Sequence, residues 1–257
     1  MPTWNPEQYL KFGDERTRPC HDLVARIALD RPRAIVDLGC GPGNSTAVLA
    51  QRWPTAKLTG VDRSADMVHA AREKYPDVQW QESDISTWTT PERVDLVFSN
   101  AALQWVPDHR IAVPRLFAMV APGGALAWQV PANIDATAHR LMRELAASAA
   151  WREHFPGTVR EWFVHPPSFY YDLLAPLAAS IDLWTTEYFH VLENPAAIVE
   201  WYRGTGLRPF LDQLDSPADR ERFLTDYEHE IEHAFPRQSD NRVLFPFLRQ
   251  FLIAYRT

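Results

Sequence analysis

Lysine is nearly missing from this chain of 257 residues: Lys11, Lys57 and Lys74 are the only ones, so 23 of the 26 basic residues are arginine. That bias is what the codons of a GC-rich genome produce, and it also supplies side chains suited to a bidentate grip on carboxylates. Basic charge as a whole is in deficit. The 33 acidic residues give a formal net charge of −7, which argues against the basic face that a nucleic-acid partner needs. Cysteine is reduced to Cys20 and Cys40, too few for a disulfide framework and in keeping with a reducing compartment. No run of about 18 apolar residues could span a bilayer. The opening from Met1 to Phe12 lacks the apolar stretch of a secretory signal. These absences lead to the expectation of a soluble, cytoplasmic protein with no membrane partner.

What is present is an ordinary globular composition, 46% apolar, long enough to bury a large α/β core. Asn5, Pro6 and Gln8 predict the cap and first turn of an N-terminal helix. From Ala34 onward strands and helices alternate. The pattern predicts strands at Ala34–Leu38, Lys57–Val61, Val78–Gln81, Val94–Phe98 and Ala125–Val130. Between them it predicts helices from Asn44 to Trp53, from a cap at Ser64 to about Tyr75, and from about Asp108 to Val120. Such alternation implies βαβ units and a parallel sheet. After Pro131 the rhythm changes. Residues 135–180 suggest aromatic-rich helices, and Asp182–Leu192 suggests a strand. Asn194-Pro195 and Ser216-Pro217 each look like a cap with a first-turn proline. Phe223, Tyr227, Ile231 and Phe235 form one stripe on a long helix, and Leu244–Tyr255 closes the chain as a buried strand.

The expected architecture is therefore a doubly wound, Rossmann-like sheet of seven mostly parallel strands with the last antiparallel. One domain is expected over 1–257. A helical lid would occupy 1–32 and the ligand-binding core 33–131. Helical cap insertions would occupy 132–181 and 194–242, and the final strands 182–193 and 243–257.

The sharpest signal is Val36-Asp37-Leu38-Gly39-Cys40-Gly41-Pro42-Gly43, placed between a buried strand and a helix. Glycines there permit a tight turn and let a ligand approach the main chain. Asp62 ends the second strand, where a carboxylate can accept both hydroxyls of a ribose. A dinucleotide would prefer G-x-G-x-x-G and a helix N-terminus free of acid. Here the spacing is G-x-G-x-G, with Pro42 in the loop and Asp37 beside it. An acid repels pyrophosphate and suits an ammonium. S-adenosylmethionine (SAM), which has ribose, adenine and an ammonium but no phosphate, fits better than NAD.

At these residues the chain resembles the class I SAM-dependent methyltransferases. The likeness continues through Ser83-Asp84-Ile85 and Ser99-Asn100-Ala101. It implies that Asp62 holds the ribose and Asp84 the adenine amine, with Asn100 and Gly39, Gly41 and Gly43 flanking the methionine part. Asp37, Arg63, Met67, Ile85 and Ala101 complete the expected cofactor set.

A closer likeness spans nearly the whole chain. The phrases Gln8 to Pro19, Gln104-Trp105-Val106-Pro107-Asp108-His109, Trp201 to Phe210 and Phe245-Pro246-Phe247-Leu248-Arg249 are similar to the trans-aconitate 2-methyltransferase family. Gly13 and Cys20 depart from that pattern. The resemblance implies a SAM-dependent carboxyl O-methyltransferase whose small tricarboxylate substrate becomes a monomethyl ester. A carboxylate is already ionised at pH 7, its ordinary pKa being near 4, and needs no general base. No catalytic acid, base or metal is therefore expected. Tyr9, Trp105 and Tyr202 would position the reactants. Arg16, Arg18, Arg208, Arg242 and Arg249 would bind the substrate anion. Arg249 shares a strand face with Phe245, Phe247 and Phe251, so it should be buried and paired with a structural acid or with substrate. His109 is the nearest candidate base. Alternatives are a methyltransferase of another small acid and a SAM-binding module without catalysis.

Overall fold

The computed structural model is described for residues 13–157, 159 and 162–257, the side chains of residues 13–16 excepted. The expected cap at Asn5-Pro6 and the candidate Tyr9 lie outside these residues, as does the side chain of Arg16.

Local sequence accounts for most of the element boundaries. Helix α1 (Gly13–Arg26) leads to strand β1 (Ala34–Leu38), whose Ile35, Val36, Asp37 and Leu38 are all buried, as a central parallel strand requires. Next come α2 (Asn44–Arg52), β2 (Lys57–Asp62) and α3 (Ala65–Lys74). Ser64 caps α3, its side chain accepting from Met67 N at 3.4 Å. Strand β3 (Gln79–Glu82) is short and polar, which suits its place at the sheet edge. Then follow β4 (Val94–Asn100), a single 3-10 turn (Leu103–Trp105), α4 (His109–Ala118) and β5 (Val120–Pro131). Strand β5 begins five residues before the Ala125 predicted. Gly123 N donates to Arg256 O at 3.0 Å and Arg256 N to Gly124 O at 2.9 Å, so the Pro-Gly-Gly segment finds ladder partners instead of forming a free turn.

The remaining elements are α5 (Thr137–Ala147), α6 (Pro167–Leu174), β6 (Ser180–Leu192), α7 (Pro195–Arg203), a one-turn α8 (Arg208–Leu211), α9 (Pro217–Ala234) and β7 (Val243–Tyr255). The caps at Asn194 and Ser216 form as predicted, accepting from Ala197 N and Asp219 N at 3.0 and 2.9 Å. Residues 135–180 are less helical than predicted. Among the described residues between α5 and α6 no helix forms, because Pro156, Gly157, Pro166 and Pro167 interrupt any continuous backbone ladder.

The seven strands lie in the order β3-β2-β1-β4-β5-β7-β6. The pairings β1–β2, β1–β4, β2–β3 and β4–β5 are parallel, and β7 runs antiparallel to β5. The sheet is thus doubly wound and mostly parallel, as the alternation implied. The chain divides into two compact units, one of Met1–Pro131, Phe163–Thr186 and Arg249–Thr257, the other of Ala132–Trp162 and Glu187–Leu248. The segment 132–181, anticipated as one insertion, is shared between them, with α6 in the first unit. In the second unit the predicted stripe on α9 is buried, Phe223, Tyr227 and Ile231 completely. Phe223 meets Trp151 edge to face at 5.0 Å between ring centroids. No helix among the described residues is long and apolar enough to cross a membrane.

Candidate functional site

The strand order brings the carboxyl ends of β3, β2, β1 and β4 side by side, and the candidate residues follow those ends. Beyond β1 the chain turns through Gly39, Gly41 and Gly43, with φ of 72°, 54° and 90°. Gly39 N and Cys40 N both donate to Val61 O, at 2.7 and 3.1 Å, which ties the loop to β2. A Cβ on Gly39 would sit 2.1 Å from the Cβ of Ala102, so the backbones after β1 and β4 approach as closely as glycine allows. Gly43 serves packing: a Cβ there would stand 2.8 Å from Tyr75 and 2.9 Å from Trp80.

Asp62 secures the loop from the side. Its Oδ2 accepts from Gly41 N and its Oδ1 from Ser64 N, both at 2.9 Å. Burial raises its pKa, opposed by those backbone donors. Asp84, after β3, accepts from Ser86 Oγ at 2.6 Å and Ser86 N at 2.7 Å, and chiefly the hydroxyl holds its carboxyl below the usual range. At the end of β4, Asn100 Oδ1 accepts from Gln129 Nε2 at 2.7 Å. Gln129 Oε1 in turn accepts from Arg249 Nη1 at 3.3 Å.

These ends enclose a cavity of about 330 Å³ lined by Gly39, Gly41, Asp62, Arg63, Met67, Asp84, Ile85, Asn100, Ala101 and Trp105, all expected from sequence. Pro42, Ser86, Ala102, Val106 and Pro107 also line it and were not among the expected binding residues. Each follows a recognised residue within a few positions, so adjacency was the only sequence signal.

Two expected cofactor residues do not line the cavity. Gly43 packs as described. Asp37 lies under the loop, 1% exposed, and its Oδ2 accepts from Ser45 Oγ and Thr46 Oγ1, each at 2.6 Å. The carboxylate thereby pins the first turn of α2 to β1. Its Oδ1 is buried without a hydrogen-bond partner among the described residues, and burial pushes the group up to about 6.

His109 is bound into the fold. Its Nε2 lies 2.9 Å from Leu103 O, which only accepts, so Nε2 carries the proton. Nδ1 then accepts from the Tyr170 hydroxyl at 2.7 Å. Burial lowers its pKa. The imidazole fastens the turn that carries Trp105 and is absent from the cavity lining.

The anticipated substrate residues are dispersed. Arg18 and Arg242 are exposed and Arg208 is half-buried. Tyr202 is fully buried in the second unit, where its hydroxyl accepts from Asn133 Nδ2 at 2.7 Å. Arg249 is buried, as its strand alternation predicted, and one side chain it meets is the amide of Gln129. Gln129, the one polar side chain in Ala125–Val130, was not recognised. A polar residue in a fully buried strand needs a partner, and that was the available signal.

Residues 35–124 match the family model described as methyltransferase domain. Over 256 residues, covering all of both chains, the sequence is 48% identical to the trans-aconitate 2-methyltransferase of Azoarcus sp. (strain BH72). It is 50% identical to that of Rhodopseudomonas palustris (strain BisA53), with 99% of each covered. The fold is similar to that of the YcgJ protein of Bacillus subtilis, with a TM-score of 0.60 at 15% identity over 93% of this chain and 98% of that one. It is also similar to phosphoethanolamine N-methyltransferase 2 of Haemonchus contortus in complex with phosphomonomethylethanolamine and S-adenosylhomocysteine. There the TM-score is 0.56 at 15% identity, over 93% of this chain and 52% of that one.

Proposed function

The chain belongs to the trans-aconitate 2-methyltransferase family, and we propose that it transfers the methyl group of SAM to a carboxylate of trans-aconitate. The products are a monomethyl ester and S-adenosylhomocysteine (SAH).

The observation that carries this reading is the donor set of the cavity. Asp62 and Asp84 each keep lone pairs beyond the bonds they already accept. Ribose hydroxyls and an adenine amine are donors that such lone pairs can take. A pyrophosphate would face both acids and the buried Asp37 instead. Gly41 adds room, since a Cβ there would meet nothing within 4 Å. We assign the ribose to Asp62, the adenine amine to Asp84, and the methionine part to Gly39 and Asn100.

When bound, SAM supplies an electrophilic methyl on a sulfonium. The protein then has to orient and to exclude water. A carboxylate nucleophile is already ionised and needs no group to take a proton from it. Trp105, Val106 and Pro107 present an apolar wall on which the acceptor can lie, and desolvating its oxygen raises its nucleophilicity. Strong cationic clamps belong on the carboxylates that do not react, because a guanidinium on the attacking oxygen would draw off its electron density. Arg208 is the first candidate, with Arg16, Arg18 and Arg242 as further ones. Tyr9 and Tyr202 are the neutral donors proposed for the reacting group.

The test is turnover of methyl-labelled SAM with trans-aconitate, cis-aconitate, citrate and isocitrate in parallel. The expected product is a base-labile monomethyl ester, formed with highest kcat/KM from trans-aconitate. No transfer to trans-aconitate, or preferred transfer to a hydroxyl or amine, would overturn the assignment.

A further inference from the structure

A buried polar chain crosses three strands of the first unit and ends at the cavity: Arg249 on β7, Gln129 on β5, Asn100 on β4. Gln129 is completely buried and Arg249 is 4% exposed, so neither amide orientation nor guanidinium contact is left to bulk water. The polarity of each link is forced by the one before it. A guanidinium only donates, so the Gln129 atom 3.3 Å from Arg249 Nη1 must be the carbonyl oxygen Oε1. That turns the Nε2 amino group toward Asn100. The Asn100 atom 2.7 Å away must then be its carbonyl Oδ1. What Asn100 has left to offer the cavity it lines is Nδ2, with two N–H donors.

We propose that Arg249 and Gln129 are positioning residues that fix Asn100 as a donor to a ligand carboxylate in the cavity. Charge in the cavity supports that ligand class. Its acids, Asp62 and Asp84, stand at the ends of β2 and after β3. Asn100 ends β4, with β1 between it and β2, which separates Asn100 from Asp62 by about 10 Å at ordinary strand spacing. The acid end also carries Arg63, which offsets one of the two carboxylates. That end stays net negative and disfavours an anionic group, which finds a donor at the Asn100 end. Two carboxylates could occupy that place: the one on the methionine part of SAM, or one on the acceptor. The inference rests on the SAM reading given above.

Gln129→Glu tests it with almost no change in shape. A carboxylate at 129 accepts from Arg249 with one oxygen and must accept from Asn100 with the other. That flips the Asn100 amide and turns its carbonyl to the cavity. Arg249→Met removes the forcing donor without adding charge, and should produce the same effect in smaller measure. Each variant is checked for wild-type secondary structure and thermal transition. Binding of SAH is compared with that of 5′-methylthioadenosine, which lacks the amino-acid part, and KM for trans-aconitate is measured at saturating SAM. Loss of SAH affinity by about ten- to hundredfold in Gln129→Glu, with methylthioadenosine binding kept, supports the inference and assigns the methionine carboxylate. Unchanged SAH binding with a KM for trans-aconitate raised by that factor supports it with the acceptor carboxylate as ligand. Equal losses for both nucleosides, or no change in any of the three, overturns it. A wild type that binds neither nucleoside overturns the SAM reading as well.

Discussion

Replacing Asp62 by Ala separates the cofactor's contribution from that of the loop. In the folded protein the carboxylate accepts from Gly41 N and Ser64 N at 2.9 Å each. A hydrogen bond to a charged group contributes about 1.5–3 kcal/mol net. Removing the carboxylate therefore frees two backbone N–H groups at the rim of the cavity, and solvent entering the space left by the side chain satisfies them in part. The thermal midpoint should fall by several degrees. Affinity for SAH should fall by about 1.5–3 kcal/mol, or about ten- to two-hundredfold, because the ribose loses a charged acceptor. Asp62→Asn is a poor control, since its amino group would face an N–H donor on one side or the other. The assay is titration calorimetry with SAH on protein shown to be folded at the working temperature. Its pH dependence adds a second check. Burial raises the pKa of Asp62, while donors from a ligand favour the charged form. Binding must then deprotonate part of the population, and wild-type affinity should fall as pH drops toward the raised value. A dissociation constant for Asp62→Ala within twofold of the wild type would refute the ribose assignment.

His109→Ala should leave kcat near the wild-type value on the folded fraction while lowering stability by about 2–4 kcal/mol, since it leaves a cavity and takes away the acceptor of the Tyr170 hydroxyl proton; a hundredfold loss of kcat with folding intact would restore His109 as a base. Because its folded pKa is lowered, the stability from neutral His109 is present above about pH 6.5 and is lost as pH falls through the folded value. Asp37 has the opposite sign. Its pKa is raised to about 6, so its relative stability is fully present below about pH 3.9 and lost as pH rises through 6. In denaturant titrations Asp37→Asn, whose Oδ1 can still accept from Ser45 and Thr46, should gain on the wild type between pH 4 and 7, and parallel profiles would disprove the raised value.

The parts of this molecule that could be anticipated from sequence are those fixed by neighbours along the chain. Ser64, Asn194 and Ser216 cap helices because the side-chain oxygen and the N–H it accepts lie three residues apart. The glycine turn, Asp62, Asp84 and Asn100 could be placed at strand ends because a strand's end is itself a local feature. Contacts set by packing between distant segments were hidden. Gly43 had been grouped with the ligand loop, yet the aromatic rings that forbid a side chain there come from Tyr75 and Trp80. Asp37 was expected to face an ammonium, and it turned to hydroxyls eight and nine residues on, in the first turn of α2, where a buried carboxylate gains two short hydrogen bonds. His109 meets a partner 61 residues away, which no periodicity of its own helix could indicate.

Arg249 shows where anticipation and structure part most instructively. Alternation along β7 correctly placed it on the buried face, and burial demanded a partner, for which an acid or the substrate were the natural candidates. The antiparallel register with β5 supplies one partner within its own sheet. Arg249 pairs with Pro131 and Phe251 with Gln129, so Arg249 and Gln129 are diagonal neighbours on one face, within reach of a long side chain. A direct clamp would set a full positive charge beside a cavity meant for a sulfonium, where the two cations would repel. Acting through Gln129, the guanidinium passes on the direction of a hydrogen-bond chain while its charge stands one side chain farther from the cavity, where its repulsion is weaker. The carboxylate then meets a neutral donor, and the charges nearest the methyl group are those that line the cavity.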